Sequence, residues 1–126
     1  MTFAGEVDAV DLTRFYRAAD YLVLPSTTPA EMFGVVLLEA MACGKPVITT
    51  ALSTGVTEVS QRDVTGLEVP PGDHEALRAA MLRLAGDAAL RRRLGTAGRE
   101  RVLANFTLKG MIDRHLALCE EVASRR

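Results

Sequence analysis

Residues 29–50 read "PAEMFGVVLLEAMACGKPVITT", and this stretch decides the fold because turn, helix and strand follow one another within it. Gly34 permits a tight approach between a strand and the helix that follows. The run from Val35 to Cys43 is helical in pattern, Gly44 closes it as a C-cap, and Pro46 opens a strand ending at Thr50. Two carboxylates interrupt this apolar text, Glu31 just before the helix and Glu39 inside it. A buried carboxylate is costly unless it is paired or hydrogen-bonded, so each needs a partner or a task. Spacing alone leaves both options open for Glu39: a contact within the fold, or a contact to a bound molecule.

Outward from this stretch, apolar runs alternate with helical patterns. Strands are expected at residues 2–4, 21–24, 46–50 and 66–69, and helices at 11–19, 35–43 and, more briefly, 57–61. Alternation of this kind points to an α/β chain: a partial Rossmann-like parallel sheet of about four strands with flanking helices and right-handed crossovers. After "PPGD" at residues 70–73 the strands stop and a helical C-terminal tail follows, with Asp73, Asp87 and Thr107 as N-cap candidates. One apolar stripe comprises Leu77, Ala80, Met81 and Leu84; a second comprises Leu108, Met111, Ile112, Leu116, Cys119 and Val122. Both are expected to face the sheet or each other. The Arg91–Arg93 run reads as a solvated helix face, and His74 and His115 read as surface or packed residues with no nucleophile at a suggestive spacing.

The 126 residues, 48% apolar and 25% charged, describe one ordinary globular domain. A net charge of -1 gives no field to attract nucleic acid. The longest nearly uncharged run, residues 32–44, is too short to span a bilayer, and a cytoplasmic location is expected, with peripheral membrane association allowed for a parent enzyme. Cys43 and Cys119 lack metal-ligand spacing and are expected as two buried free thiols.

The chemistry of the quoted stretch is that of a ligand site. The start of the helix at Val35 presents backbone N–H groups and a positive dipole end, which suit a phosphate. Side chains on a helix lean toward its N-terminus, so Glu31 and Glu39 can approach one ligand. Two carboxylates are poor company for a phosphate but good acceptors for the hydroxyls of a ribose or a sugar.

With these residues in view, the chain resembles the retaining glycosyltransferases of the GT-B fold in family 4, the group 1 glycosyltransferases. The resemblance rests on "ADYLVLPS" (residues 19–26), on "EMFGVVLLEAMACGKPV" (31–47), whose glutamates are separated by seven residues, and on "TGLEVPPGD" (65–73). It covers nearly the whole chain and places it in the C-terminal, nucleotide-sugar-binding domain. It implies that Glu31 faces the donor sugar as the catalytic carboxylate, that Gly34 and Val35 offer backbone N–H groups to the diphosphate, that Leu38 packs beside the ribose, and that Glu39 accepts hydrogen bonds from the ribose. The implied donor is a UDP- or GDP-linked sugar, with no further cofactor and no metal, since no Asp-x-Asp motif occurs.

Two departures from the family pattern stand out. The Gly-Gly-x-x-Glu turn of many members reads "STGVTE" at residues 53–58, keeping Gly55 and Glu58. The acceptor-binding domain and two strands of the nucleotide domain have no counterpart here, so an acceptor wall is expected from a missing domain or a separate chain. The strand at 21–24 should then present a raw sheet edge, closed by pairing with residues 2–4 or by a strand-exchanged homo-oligomer. The alternatives to a sugar-transferring fragment are a non-catalytic binding or assembly module and an inactive truncated domain.

Overall fold

A computed structural model of the chain describes residues 1–30 and 33–125. The elements in order are α1 (Ala9–Ala18), β1 (Leu22–Leu24), α2 (Val35–Ala42), β2 (Val47–Thr50), α3 (Val56–Val59), β3 (Gly66–Val69), α4 (His74–Gly86), α5 (Ala88–Asn105) and α6 (Leu108–Ser124). The strands form one parallel sheet in the order β1-β2-β3, with Leu22 opposite Val47 and Val47 opposite Gly66.

Every residue of β2 is buried, as its unbroken apolar and β-branched text requires for a central parallel strand covered on both faces. Successive residues of a strand point to opposite faces, so Val47 and Ile48 enter two different cores. Val47 joins Leu37, Ala40 and Met41 of α2, Val56 and Val59 of α3 and Val102 of α5. Ile48 joins Leu67 and Val69 of β3, Ala80 and Leu84 of α4, and Leu90 and Leu94 of α5. With its 18 residues, α5 is about 27 Å long and serves both layers. It closes on α2 at Gly95, where an added Cβ would lie 2.0 Å from the Gly44 carbonyl oxygen. The three expected caps are present: Asp73, Asp87 and Thr107 accept from the backbone N–H of Ala76, Leu90 and Gly110.

Several expectations are corrected. The sheet among the described residues has three strands rather than four, because residues 2–4 form no strand and Phe3 is 85% exposed. An isolated segment gains nothing from extension without a neighbour to take its hydrogen bonds. Pairing with residues 2–4 therefore does not close the β1 edge, which has β2 on one side; its residues are half-buried beneath the flanking helices. The second apolar stripe does not enter a core: α6 has no buried residue, and Leu108 and Leu116 are 69% and 57% exposed. The sheet is already covered on both faces by α2, α4 and α5, and α6 adds no layer to it. Cys119, on that stripe, is exposed, and Cys43 is half-buried. Arg91 is not a solvated residue. Its guanidinium donates to the carbonyls of Leu84 and Ala85 at the end of α4 and lies 3.6 Å from the Asp20 carboxylate.

Glycine packing gives a discriminating test. Gly95→Ala gains helix propensity but drives a methyl into the Gly44 carbonyl, so it should destabilise the fold by about 1–3 kcal/mol in chemical denaturation. Gly86→Ala meets open space and should be neutral or stabilising, by up to ~1 kcal/mol.

Candidate functional site

The polypeptide enters α2 through Gly34, whose φ of 72° and ψ of 60° are left-handed. A side chain there would be strained by the backbone and would also meet Leu37 Cδ1 at 2.9 Å and Leu24 Cδ2 at 3.4 Å. Gly34 is buried, and only a glycine lets the loop from β1 turn into α2 while staying against both. The result places the first turn of α2 at the carboxyl end of a parallel sheet, where α/β folds hold their ligands. The first N–H groups of any helix lack intrahelical partners, and the dipole there favours an anion.

Around this turn the side chains are unevenly buried. Val35 is 60% exposed and Val36 beside it is exposed as well, although both are apolar and sit on a helix whose Leu37, Ala40 and Met41 are buried in the core. Leu38 is half-buried, packs against the α2 side of the sheet and lines a cavity of about 450 Å³ with Phe33, Phe106, Met111 and Arg114. The cavity wall is stiffened by an edge-to-face contact between Phe33 and Phe106, centroids 6.1 Å apart, and by the Arg101 guanidinium 5.5 Å from the Phe106 ring.

Glu39 lies four residues after Val35, hence on the same face of α2 one turn further in. Its Oε2 accepts a hydrogen bond from the Tyr16 hydroxyl of α1 at 2.8 Å. This answers the question posed by a carboxylate in apolar text: a partner exists, and it is a neutral donor rather than a cation. Burial pushes the Tyr16 phenol up to about 12, and the hydrogen bond and charge of Glu39 add to the shift, with a smaller contribution from Cys43. Thus Gly34, Val35, Leu38 and Glu39 are brought together on the N-terminal half of α2, while Glu31 lies outside the described residues. Tyr16 is the residue that sequence reasoning missed. It stands among Leu12, Phe15 and Ala19 at helical spacing and reads as part of an apolar face; the signal was the phenolic oxygen at its tip.

The phenol sets a pH dependence with a definite sign. A group whose pKa is higher folded than unfolded stabilises the fold fully below its unfolded value, about 10 for tyrosine, and that stability is lost as pH rises through about 12. In a Tyr21→Phe background, ultraviolet titration should find Tyr16 ionising near 12, and Glu39→Gln should move it toward 10.

The family pattern described as "Glycosyl transferases group 1" matches residues 1–101. The chain is 31% identical, over 118 residues, to O-antigen chain mannosyltransferase C of Escherichia coli, covering 94% of this chain and 32% of that protein. Among solved structures it resembles sucrose-phosphate synthase from Thermosynechococcus elongatus, with a TM-score of 0.87 and 40% identity over 99% of this chain and 31% of the other. It also resembles Anabaena HepE in complex with UDP-glucose, with a TM-score of 0.76 and 25% identity over 90% of this chain and 30% of the other. The chain thus spans about a third of the length of these relatives. Its α/β fold is that of the GT-B glycosyltransferases, and it belongs to the group 1 glycosyl transferases.

Proposed function

We propose that this chain is the C-terminal part of a nucleotide-sugar-binding Rossmann-like domain in a retaining family 4 glycosyltransferase, and that it holds a nucleoside-diphosphate sugar. The observation that carries this reading is the start of α2: a left-handed glycine, an exposed first turn, and a carboxylate on the same helix face one turn inside. The pieces suit different parts of one ligand. The turn at Gly34 and Val35 faces the diphosphate, where helix N–H groups and dipole favour negative charge. Leu38 offers an apolar side to the ribose, and Glu39, an acceptor without donors, takes the ribose hydroxyls. UDP-glucose in the related HepE supports a nucleotide sugar as donor; UDP- and GDP-linked sugars are both consistent with the residues present.

Glu31, eight positions before Glu39, is assigned the face of the donor sugar. There a carboxylate stabilises the positive charge that builds on the sugar ring as the bond to the diphosphate breaks. Transfer with retention delivers the sugar to an acceptor held by a further domain or a separate chain, since holding two substrates in register needs a second wall.

Thermal unfolding of the chain with UDP, GDP and their sugar conjugates tests the reading. A ligand at a hundred times its dissociation constant should stabilise the native chain by about 2.7 kcal/mol. Glu39→Ala should lose that shift, and Glu31→Ala should lose only the increment contributed by the sugar. Absence of a shift with every nucleotide, or an undiminished shift in Glu39→Ala, overturns the assignment.

A further inference from the structure

We propose that Tyr16 is a positioning residue for the nucleotide site: by donating its hydroxyl to Glu39 Oε2, it turns the carboxylate so that Oε1 is presented to the hydroxyls of the bound ligand. This rests on the assignment of Glu39 as the ribose acceptor and adds to it a residue from a different helix.

Three observations support it. Among the described residues, the Tyr16 hydroxyl is the hydrogen-bond partner of Glu39, at 2.8 Å, and it engages one of the two carboxylate oxygens. A carboxylate has room for about four hydrogen bonds, so this contact leaves capacity on the other oxygen. Second, Tyr16 is itself held. Its ring packs against the core formed by Leu37, Ala40 and Met41, while its own helix has no buried residue. The hydroxyl therefore reaches Glu39 from a ring seated on α2's own layer. Third, the donor is durable: the phenol's pKa, raised by burial and by Glu39, keeps the proton on the oxygen throughout the neutral range.

The physical gain is preorganisation. A glutamate left to rotate must be ordered when the ligand arrives, which weakens binding, whereas one held by a fixed donor is already aimed. A neutral donor is also better suited than a lysine or arginine, because a cation would compete for the carboxylate and draw its second oxygen away from the ligand.

The experiment compares the native chain, Tyr16→Phe, Glu39→Gln and the double variant for binding of UDP, or of GDP where that nucleotide binds. The same chains are titrated with the 2′,3′-dideoxy form of that nucleotide and with inorganic pyrophosphate. Tyr16→Phe should weaken the nucleoside diphosphate by roughly three- to tenfold, the net worth of one ordinary hydrogen bond, and leave the dideoxy form and pyrophosphate unchanged. In the Glu39→Gln background, Tyr16→Phe should add little, since the two act as a unit. Equal binding by Tyr16→Phe and native chain, or an equal loss for the dideoxy form, overturns the inference while leaving the Glu39 assignment intact. Undiminished binding by Glu39→Gln, or no nucleotide binding by the native chain, overturns both. A readout independent of the variant's folding is the Tyr16 ring resonance of the native chain. It should shift on saturation with the nucleoside diphosphate and not with pyrophosphate, and a stationary resonance overturns the inference.

Discussion

The arrangement depends on the burial of α2. This helix, "VVLLEAMA", is apolar at every position but one, and beyond its exposed first two residues every position is buried or half-buried. Leu37, Ala40 and Met41 are completely buried against β2, α3 and α5. A helix so covered cannot rotate about its axis without exposing apolar area at about 25 cal/mol per Å². Its rotational setting is therefore fixed by packing, and with it the direction of Glu39 and the exposure of Val35. At its start, the left-handed Gly34 lies so close to Leu37 and Leu24 that an added Cβ would be 2.9 and 3.4 Å from their side chains.

Helix α5 then locks this layer to the other. Besides contributing Leu90, Leu94 and Val102 to two cores, it sends arginines to the C-terminal ends of three other helices. Arg91 donates to Leu84 and Ala85 of α4, Arg99 to Ala42 of α2, and Arg101 to Glu58 and Val59 of α3. The last carbonyls of a helix have no partner within it and carry its negative dipole end, so a guanidinium satisfies both the hydrogen-bonding and the electrostatic need. Because these bonds are to backbone rather than to carboxylates, they stay satisfied wherever the acidic side chains go. The long helix thus acts as a brace across the ends of the shorter ones, with its own close approach at Gly95 setting the depth of the contact.

What the sequence disclosed follows the same division. The strands at 21–24, 46–50 and 66–69 and the helix at 35–43 were legible within a residue or two, because local pattern and burial agree there. The three N-caps were legible because a cap is a local hydrogen bond that depends on no distant partner. Residues 2–4 and the α6 stripe misled for a common reason. Both have the composition of elements that pack, but packing requires a second surface, and neither composition nor periodicity says whether one is present. Arg91 misleads in the opposite sense: a charge run reads as a solvated face, whereas one of its members has carbonyls to satisfy across a helix junction. At the site, the α2 residues were legible as a motif, whereas Tyr16 was not, because its partner lies 23 residues away in sequence and meets it only once α1 folds onto α2.

That separation bears on how the site behaves. α2 is held by two faces of packing, but α1 has no buried residue and meets α2 through the half-buried Tyr16 and the hydrogen bond at its tip. Elements with little buried apolar surface open locally at lower free energy than the core to which they attach. Glu39 thus stands on a helix with three fully buried residues and its hydrogen-bond donor Tyr16 on a helix with none. A ligand that hydrogen-bonds Glu39 makes the oriented rotamer the favoured one and so strengthens the hold of Tyr16, and α1 with it. For any ligand bound through Glu39, binding and α1 docking would be linked through that carboxylate, each favouring the other, since whatever stabilises one oxygen's orientation stabilises its neighbour's.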